Sequence, residues 1–187
     1  MKKLKGFSEN TLEGILKDIK TLNLSKYVSE AVQAIAHAVL DGKLRMGDIP
    51  TAVQVCSTLH QCYKDFAVDL VSSLGKCFDV AALVEEGISV QRQQQQLEKV
   101  QKEQQQQQAG QPAAAAATPA PSTDKVEKMV GRLKVVMRML GELYVAGLYT
   151  DPSVLQKCIA QLVNCPKAKT AGSTVLLGIV SVANVFL

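Results

Sequence analysis

The feature that most limits the fold of this chain is the spacing of its apolar residues, which recur every three or four positions through most of the sequence. Residues 28–39 place a set of these side chains on one helical face: Val28, Ala31, Val32, Ile35, Ala36 and Val39. No segment alternates with a period of two for long, and the short Val-rich runs also fit helices. The spacing therefore predicts an all-α chain of about seven helices.

Capping and turn residues predict where these helices begin and end. Ser25 is placed to cap a helix that ends near Gly42, because serine accepts from free backbone N–H groups and glycine tolerates the left-handed conformation that ends helices. The other predicted boundaries are a helix over about 8–22, starts near Asp48, Asp65 and Asp124, an end at Gly147, and starts at Thr150 or Asp151 and at Ala171 or Ser173. Short connections predict antiparallel hairpins, which fit either a compact bundle or an α-solenoid.

The same periodicity predicts which side chains face the core. Tyr27, in the first turn after Ser25, continues the apolar stripe of its helix and is expected to be buried. The helix from Asp124 carries a stripe of Val126, Val130, Leu133, Met137, Leu140 and Tyr144. The inward-facing residues of the next helix are expected to be Leu155, Ile159, Leu162 and Val163. Aromatic residues are 4% of the chain, so the core is predicted to be aliphatic.

The composition changes at residues 91–123, which read QRQQQQLEKVQKEQQQQQAGQPAAAAATPAPST. This change divides the chain into the first helical hairpins at 1–90, a Gln/Ala/Pro-rich low-complexity insertion at 91–123, and a continuation of the same domain at 124–187. The Gln-rich part can continue as a solvated helix, whereas the Ala/Pro part cannot bury enough apolar surface to fold. Because the apolar pattern stops at Leu187 without a cap, we expect the last segment to be truncated.

Residues able to carry chemistry are few and scattered. The two histidines are His37 and His60, and His60 lies four residues after Cys56. A shared helix face would supply two ligands, whereas a structural zinc ion takes four, so a packed His/Cys pair is the better interpretation. The 12 glycines form no phosphate-binding loop. The sequence therefore predicts a protein that is not an enzyme and has no metal or cofactor.

Cysteine usage and hydropathy bear on the compartment. The five cysteines form no CxxC pair, and an odd count without a secretory signal indicates a reducing compartment. The most apolar stretch, 174–187, is shorter than the roughly 20 residues that a membrane-spanning helix needs. We therefore expect no membrane partner.

Basic residues cluster on the predicted helix after Asp124. Lys125, Lys128 and Arg132 lie on one side of this helix, and Lys134 and Arg138 lie on an adjacent strip. A solvated helix surface explains them, and so does a surface for RNA or a partner protein. The net charge is only +4 and no aromatic residues interleave, so any RNA contact would be weak and made to phosphates.

Three motifs carry a family resemblance. They are LNLSKYVSEAV, which begins at Leu22, CSTLHQCYKDF, which ends at Phe66, and GELYVAGLYTDPSVLQKCIAQLVN at 141–164. Together they resemble the first middle domain, of the initiation-factor-4-gamma type, in the second up-frameshift family of nonsense-mediated mRNA decay scaffolds. The Gln/Ala segment departs from that pattern and is interpreted as an insertion.

The resemblance implies a HEAT-like α-solenoid of antiparallel helical hairpins. It implies a non-catalytic, RNA-associated scaffold of the cytoplasm or perinuclear region, which bridges an RNA helicase to an exon-junction adaptor and to kinase components, mostly through regions outside this segment. Two alternatives stay open: an RNA-binding helical domain, and a translation-initiation scaffold of the same superfamily.

Overall fold

A computed structural model describes residues 9–107, 124–165 and 173–186, and within these ranges it contains eight α-helices and no strand. The helices are α1 (Glu9–Thr21), α2 (Val28–Leu40), α3 (Ile49–Cys62), α4 (Phe66–Cys77), α5 (Val80–Gln107), α6 (Asp124–Val145), α7 (Ser153–Val163) and α8 (Ser173–Ala183). Three 3₁₀ turns accompany them at Ser25–Tyr27, Met46–Asp48 and Asn184–Phe186. No helix in these ranges combines the length and the apolar character needed to span a membrane.

The helices pack in layers, with each early helix lying against the next but one. Helix α1 contacts α3, and α2 packs closely along α4. Helix α6 runs through the centre and contacts α2, α3, α4, α5, α7 and α8. The successive helical hairpins are thus stacked in layers around α6, which is a solenoid-like arrangement. The all-α, solenoid-like fold predicted from the sequence is confirmed.

The core is aliphatic, as the composition predicts. The stripe of α2 is buried through Ile35 and Val39, and the most deeply buried side chains of α6 include Met137, Met139 and Leu140. Phe66 and Phe78 are the largest fully buried side chains in the described ranges. Burial of an aliphatic side chain contributes roughly 1.5–3 kcal/mol, so these stripes supply most of the stabilising free energy of the stack.

Two glycines end helices in the way that the sequence predicts. Gly42 has φ of 69° and Gly147 has φ of 72°, both in the left-handed region. After each of them the chain folds back onto the helix: the Lys43 N–H donates to the Ala38 carbonyl at 3.0 Å, and the Leu148 N–H donates to the Leu143 carbonyl at 3.0 Å. These bonds satisfy carbonyl groups that a helix end otherwise leaves free.

The prediction for Tyr27 is wrong. Its side chain is 49% exposed, and α2 begins only at Val28. Ser25 does not cap the helix, because its hydroxyl donates to Asn23 Oδ1 at 2.5 Å instead. Residues 25–27 therefore form a separate 3₁₀ turn, in which the side chains follow a different rotation per residue. The phase of the α2 stripe does not extend backwards into that turn.

The predicted inner face of α7 is partly wrong. Ile159 is 47% exposed and Val163 is 76% exposed, whereas Cys158 and Leu162 are buried. Because α7 is short and only half-covered by its neighbours, its contact surface is narrow and centred on the smaller Cys158. Apolar residues beside that narrow surface remain in solvent, which periodicity alone does not reveal.

The Gln-rich segment is helical as far as the structure describes it. Helix α5 packs Leu83, Val84 and Val90 into the core and then continues without a break through Gln107. Glutamine is a good helix former, so the solvated turns extend the packed ones. Helix α5 is the additional helix that brings the number in the described ranges to eight, against about seven expected. The Ala/Pro-rich part of the predicted insertion lies outside the described residues.

Candidate interaction cleft

Cys56 and His60, the His/Cys pair of α3, belong to the packed side of the helix. Cys56 is fully buried, and burial raises the pKa of its thiol to about 12, so the thiol stays protonated. His60 is half-buried on the same helix, and its Nδ1 has no hydrogen-bond partner among the described residues. In the part of the chain that the structure describes, no group of three His, Cys, Asp or Glu side chains is arranged to hold a metal ion.

The five basic residues predicted as one surface fall into three different settings. Lys125 faces α5, Arg138 faces the end of α8, and the other three line a common cleft. Helical periodicity gave all five a solvent-facing direction, which is correct for Lys125, Lys128 and Arg132. Lys134 and Arg138 are half-buried.

Lys125 is tied to the preceding helix. Its Nζ lies 3.5 Å from Glu86 Oε1 of α5. The lysine side chain is 74% exposed, so water screens the pair and its contribution to stability is small. The contact nevertheless partly neutralises this charge, which reduces its value for an anionic partner.

Arg138 has a structural role. Its Nη2 lies 2.6 Å from Glu142 Oε1, one turn further along α6. Its Nη1 donates a hydrogen bond of 3.2 Å to the Val185 carbonyl in the 3₁₀ turn after α8. The guanidinium therefore fastens the end of α8 to α6 and satisfies a carbonyl at a helix end.

The other three residues line a cleft of about 450 Å³ between the first half of α6 and the turn that follows α2. The lining residues are Val39, Asp41, Gly42, Leu44, Met46, Lys128, Gly131, Arg132, Lys134 and Val135. Gly131 contributes no side chain and has open space beside it, so this part of α6 between Lys128 and Arg132 stays open. The turn enters this wall because Gly42 reverses the chain at the end of α2.

The charge of the cleft is positive. Three cations and one carboxylate line it, and that carboxylate, Asp41, is paired with Lys43 at 3.0 Å. The hydrogen bond from Lys43 and its charge lower the pKa of Asp41, with smaller contributions from His37 and Arg132. Within the described ranges, none of the three cations forms an ion pair with a carboxylate. Their charge is therefore directed to solvent.

The floor of the cleft is aliphatic. Val39, Leu44 and Val135 are buried beneath it, while Met46 is 45% exposed at its edge. Sequence reasoning missed Met46 and the turn residues, because they come close to α6 only through the packing of α2 against it. The sequence indicates only that Met46 belongs to a turn, because it lies between the predicted end of one helix near Gly42 and the predicted start of the next near Asp48.

A layered stack of helical hairpins with an open surface cleft defines a helical scaffold-type domain. The family model for the MIF4G domain matches residues 1–174, and the chain belongs to this family.

Curated relatives narrow the class further. The Regulator of nonsense transcripts UPF2 of Arabidopsis thaliana is 50% identical over 78 residues, and the Regulator of nonsense transcripts 2 of Homo sapiens is 42% identical over 79 residues. Each match covers 42% of this chain and only 6% of the relative.

A solved structure extends the likeness across the fold. The crystal structure of the first MIF4G domain of human nonsense mediated decay factor UPF2 superposes with a TM-score of 0.53 at 25% identity, covering 95% of this chain and 44% of that one. The resemblance inferred from the three sequence motifs is confirmed. The chain is a helical domain related to nonsense-decay regulators.

Proposed function

We propose that this chain is a non-catalytic scaffold domain in nonsense-mediated mRNA decay, which helps to bridge an RNA helicase and exon-junction components. The observation that carries the proposal is the likeness to the first MIF4G domain of human UPF2, which extends over 95% of the chain. A scaffold needs rigid surfaces rather than reactive groups, and the stacked helices provide such surfaces. The proposal includes a location in the cytoplasm or perinuclear region.

The test measures mRNA decay in the source organism. The codons for residues 9–186 are deleted in frame, and half-lives are measured for two reporter mRNAs that differ only by a premature stop codon. We expect the reporter with the premature stop to live longer and the normal reporter to be unchanged. Restoring the segment with Lys157→Glu, a change at an exposed position of α7, serves as the control and should restore decay.

The same experiment separates the other candidate roles. Unchanged half-lives for both reporters, with reduced translation of the normal one, would favour a translation-initiation scaffold instead. Co-precipitation of the RNA helicase and the exon-junction adaptor, with and without residues 9–186, tests bridging directly. Tagging the chain with a fluorescent protein tests the expected location.

An RNA-binding role is the second candidate, and three unpaired cations in the cleft favour it. Phosphate contacts release counterions, so RNA affinity would fall steeply with salt. Changing Lys128, Arg132 and Lys134 to Glu would then weaken binding for all RNA sequences and flatten the dependence on salt. Retained RNA affinity in that variant contradicts an RNA role for this surface.

A further inference from the structure

We propose that the cleft between α6 and the turn after α2 binds an acidic protein segment that carries an aliphatic anchor residue. The inference deepens the scaffold function and rests on it for its cellular meaning, but binding itself can be measured independently. Two properties meet in this cleft: a positive charge without a partner carboxylate on α6, and an aliphatic floor.

The charge selects an acidic partner. Lys128 and Arg132 are exposed on α6 one turn apart, and Lys134 borders the cleft from a different side of the same helix. All three cations belong to the α6 wall of the cleft, so an anionic segment lying in the cleft would contact them along that helix. Such complementary charge raises the rate of association and fixes the orientation of the bound chain.

The floor selects an aliphatic anchor. Leu44 and Val135 close the bottom, and the flexible thioether of Met46 lies at the rim, where it can adapt to an inserted side chain. A volume of about 450 Å³ suits one or two inserted side chains rather than a folded surface. A leucine, isoleucine or methionine that enters the cleft would bury apolar area on both partners.

The same floor disfavours single-stranded RNA. Proteins that bind single-stranded RNA hold its bases by stacking them against aromatic rings, and none of the described residues that line this cleft is aromatic. Three cations alone supply few phosphate contacts, and affinity from such contacts falls steeply at physiological salt. An acidic peptide with an apolar anchor contacts both the cations and the aliphatic floor of the cleft, whereas RNA contacts only the cations.

The probe is a short fluorescein-labelled peptide of Glu and Asp residues with two leucines at its centre, titrated with the full chain in a fluorescence anisotropy assay. A second peptide has serines in place of the leucines, and a labelled poly-uridine of similar charge tests the nucleic-acid alternative. We expect the leucine peptide to bind at physiological salt and the serine peptide to bind about tenfold more weakly. We also expect poly-uridine to bind more weakly than the leucine peptide.

Matched variants locate the binding. Lys128→Glu with Arg132→Glu should weaken the leucine peptide at least about tenfold, because both charge pairs become repulsive. Lys76→Glu with Lys157→Glu makes the same change in net charge at exposed positions outside the cleft, and should leave the affinity nearly unchanged. Met46→Ser should weaken the leucine peptide and not the serine peptide. Circular dichroism confirms that each variant is folded.

Several outcomes overturn the proposal. They are no binding of the leucine peptide, equal losses in the two charge-reversed variants, equal affinity for the two peptides, or tighter binding of poly-uridine that the cleft variant abolishes. The last result would make the cleft a phosphate site. These binding results are independent of the half-lives of the reporter mRNAs, so failure of this inference and failure of the scaffold proposal are distinguishable.

Discussion

Gly178 of α8 lies directly against Val130 of α6, so close that a methyl group on the glycine would be 2.5 Å from Val130 Cγ2. Real side-chain carbons do not approach this closely, so α8 packs on α6 only because residue 178 has no side chain. The valine is half-buried and its branch at Cβ is stiff, which leaves little freedom to move away.

We therefore expect Gly178→Ala to destabilise the protein by about 1–2 kcal/mol, because overpacking outweighs the better helix propensity of alanine. Gly14→Ala is the matched control: it lies within α1 with open space around it and should stabilise by about 0.5–1 kcal/mol. Urea unfolding of both variants gives the comparison. Adding Val130→Ala should recover part of the loss at residue 178, and strictly additive effects would contradict direct contact.

Tyr63 and Tyr27 make a second matched pair. The Tyr63 hydroxyl accepts a hydrogen bond of 2.8 Å from the Leu24 N–H, which joins the end of α3 to the turn before α2. Tyr63→Phe removes that acceptor from a partly buried N–H and should cost about 1 kcal/mol. Tyr27 is half-exposed, so Tyr27→Phe should leave the melting temperature unchanged. Equal melting temperatures for the two variants would show that the Tyr63 bond adds nothing.

The contrast between these tyrosines shows what the sequence could predict. Helical periodicity gave the fold class and most of the buried faces of α2 and α6, because neighbouring helices cover those faces well. It was wrong for Tyr144 at the end of the predicted α6 stripe, which is 41% exposed. It failed at Tyr27, where three residues turn with a 3₁₀ rotation before the helix begins. Local sequence does not report such a change of phase, nor the hydrogen bond that joins Leu24 to Tyr63 across 39 positions.

The cleft was beyond sequence reasoning for a related reason. Lys128 and Lys134 were correctly placed on one helix, but periodicity separates them by about a third of a turn of the helical wheel. They share a cleft only because the turn through Leu44 and Met46 forms its other wall. That wall comes from a segment more than 80 positions earlier in the chain, and only tertiary packing brings it there.

A pH-dependent stability is expected from Tyr149. Its hydroxyl donates to the Leu140 carbonyl at 2.9 Å, and burial raises its pKa to about 12 from an ordinary 10.0. A group whose pKa is higher in the folded state stabilises fully below its unfolded pKa, and that stability is lost as the pH rises above it. The free energy of unfolding should therefore decline as the pH rises from about 10 towards 12.

Tyr149→Phe should reduce the slope of that decline, and should cost about 1 kcal/mol at neutral pH through the lost hydrogen bond. Tyr144→Phe is the control, since Tyr144 packs edge-on against Tyr149 but is 41% exposed. Urea unfolding at a series of alkaline pH values measures both. A slope that is the same in parent and Tyr149→Phe would mean that other groups, such as the buried thiols, govern alkaline unfolding.

Thiol reactivity should follow burial. Cys62 is exposed, whereas Cys56 and Cys158 are buried, and burial raises the pKa values of these two thiols to about 12 and about 11. Because the thiolate is the reactive form, iodoacetamide at pH 8 should modify Cys62 first and Cys56 last. Peptide mass spectrometry over time gives the order. Unfolding in urea should make the five rates alike, and a fast reaction at Cys56 in the folded protein would contradict its burial.

The final prediction separates the structural cation of α6 from its neighbour in the cleft. Arg138 binds the Val185 carbonyl and Glu142, so Arg138→Gln should release the last turn of the described chain. Lost hydrogen bonding of about 0.5–1.5 kcal/mol corresponds to amide exchange about two- to tenfold faster where opening is local. Hydrogen exchange measured by mass spectrometry should show this acceleration in residues 179–185 and no change in α2.

The control is Lys134→Gln. Lys134 is half-buried on the same helix but has no ion pair among the described residues, so this variant should leave exchange in 179–185 at the parental rate. If the two variants exchange alike, Arg138 does not hold the end of α8, and its charge is available to a partner.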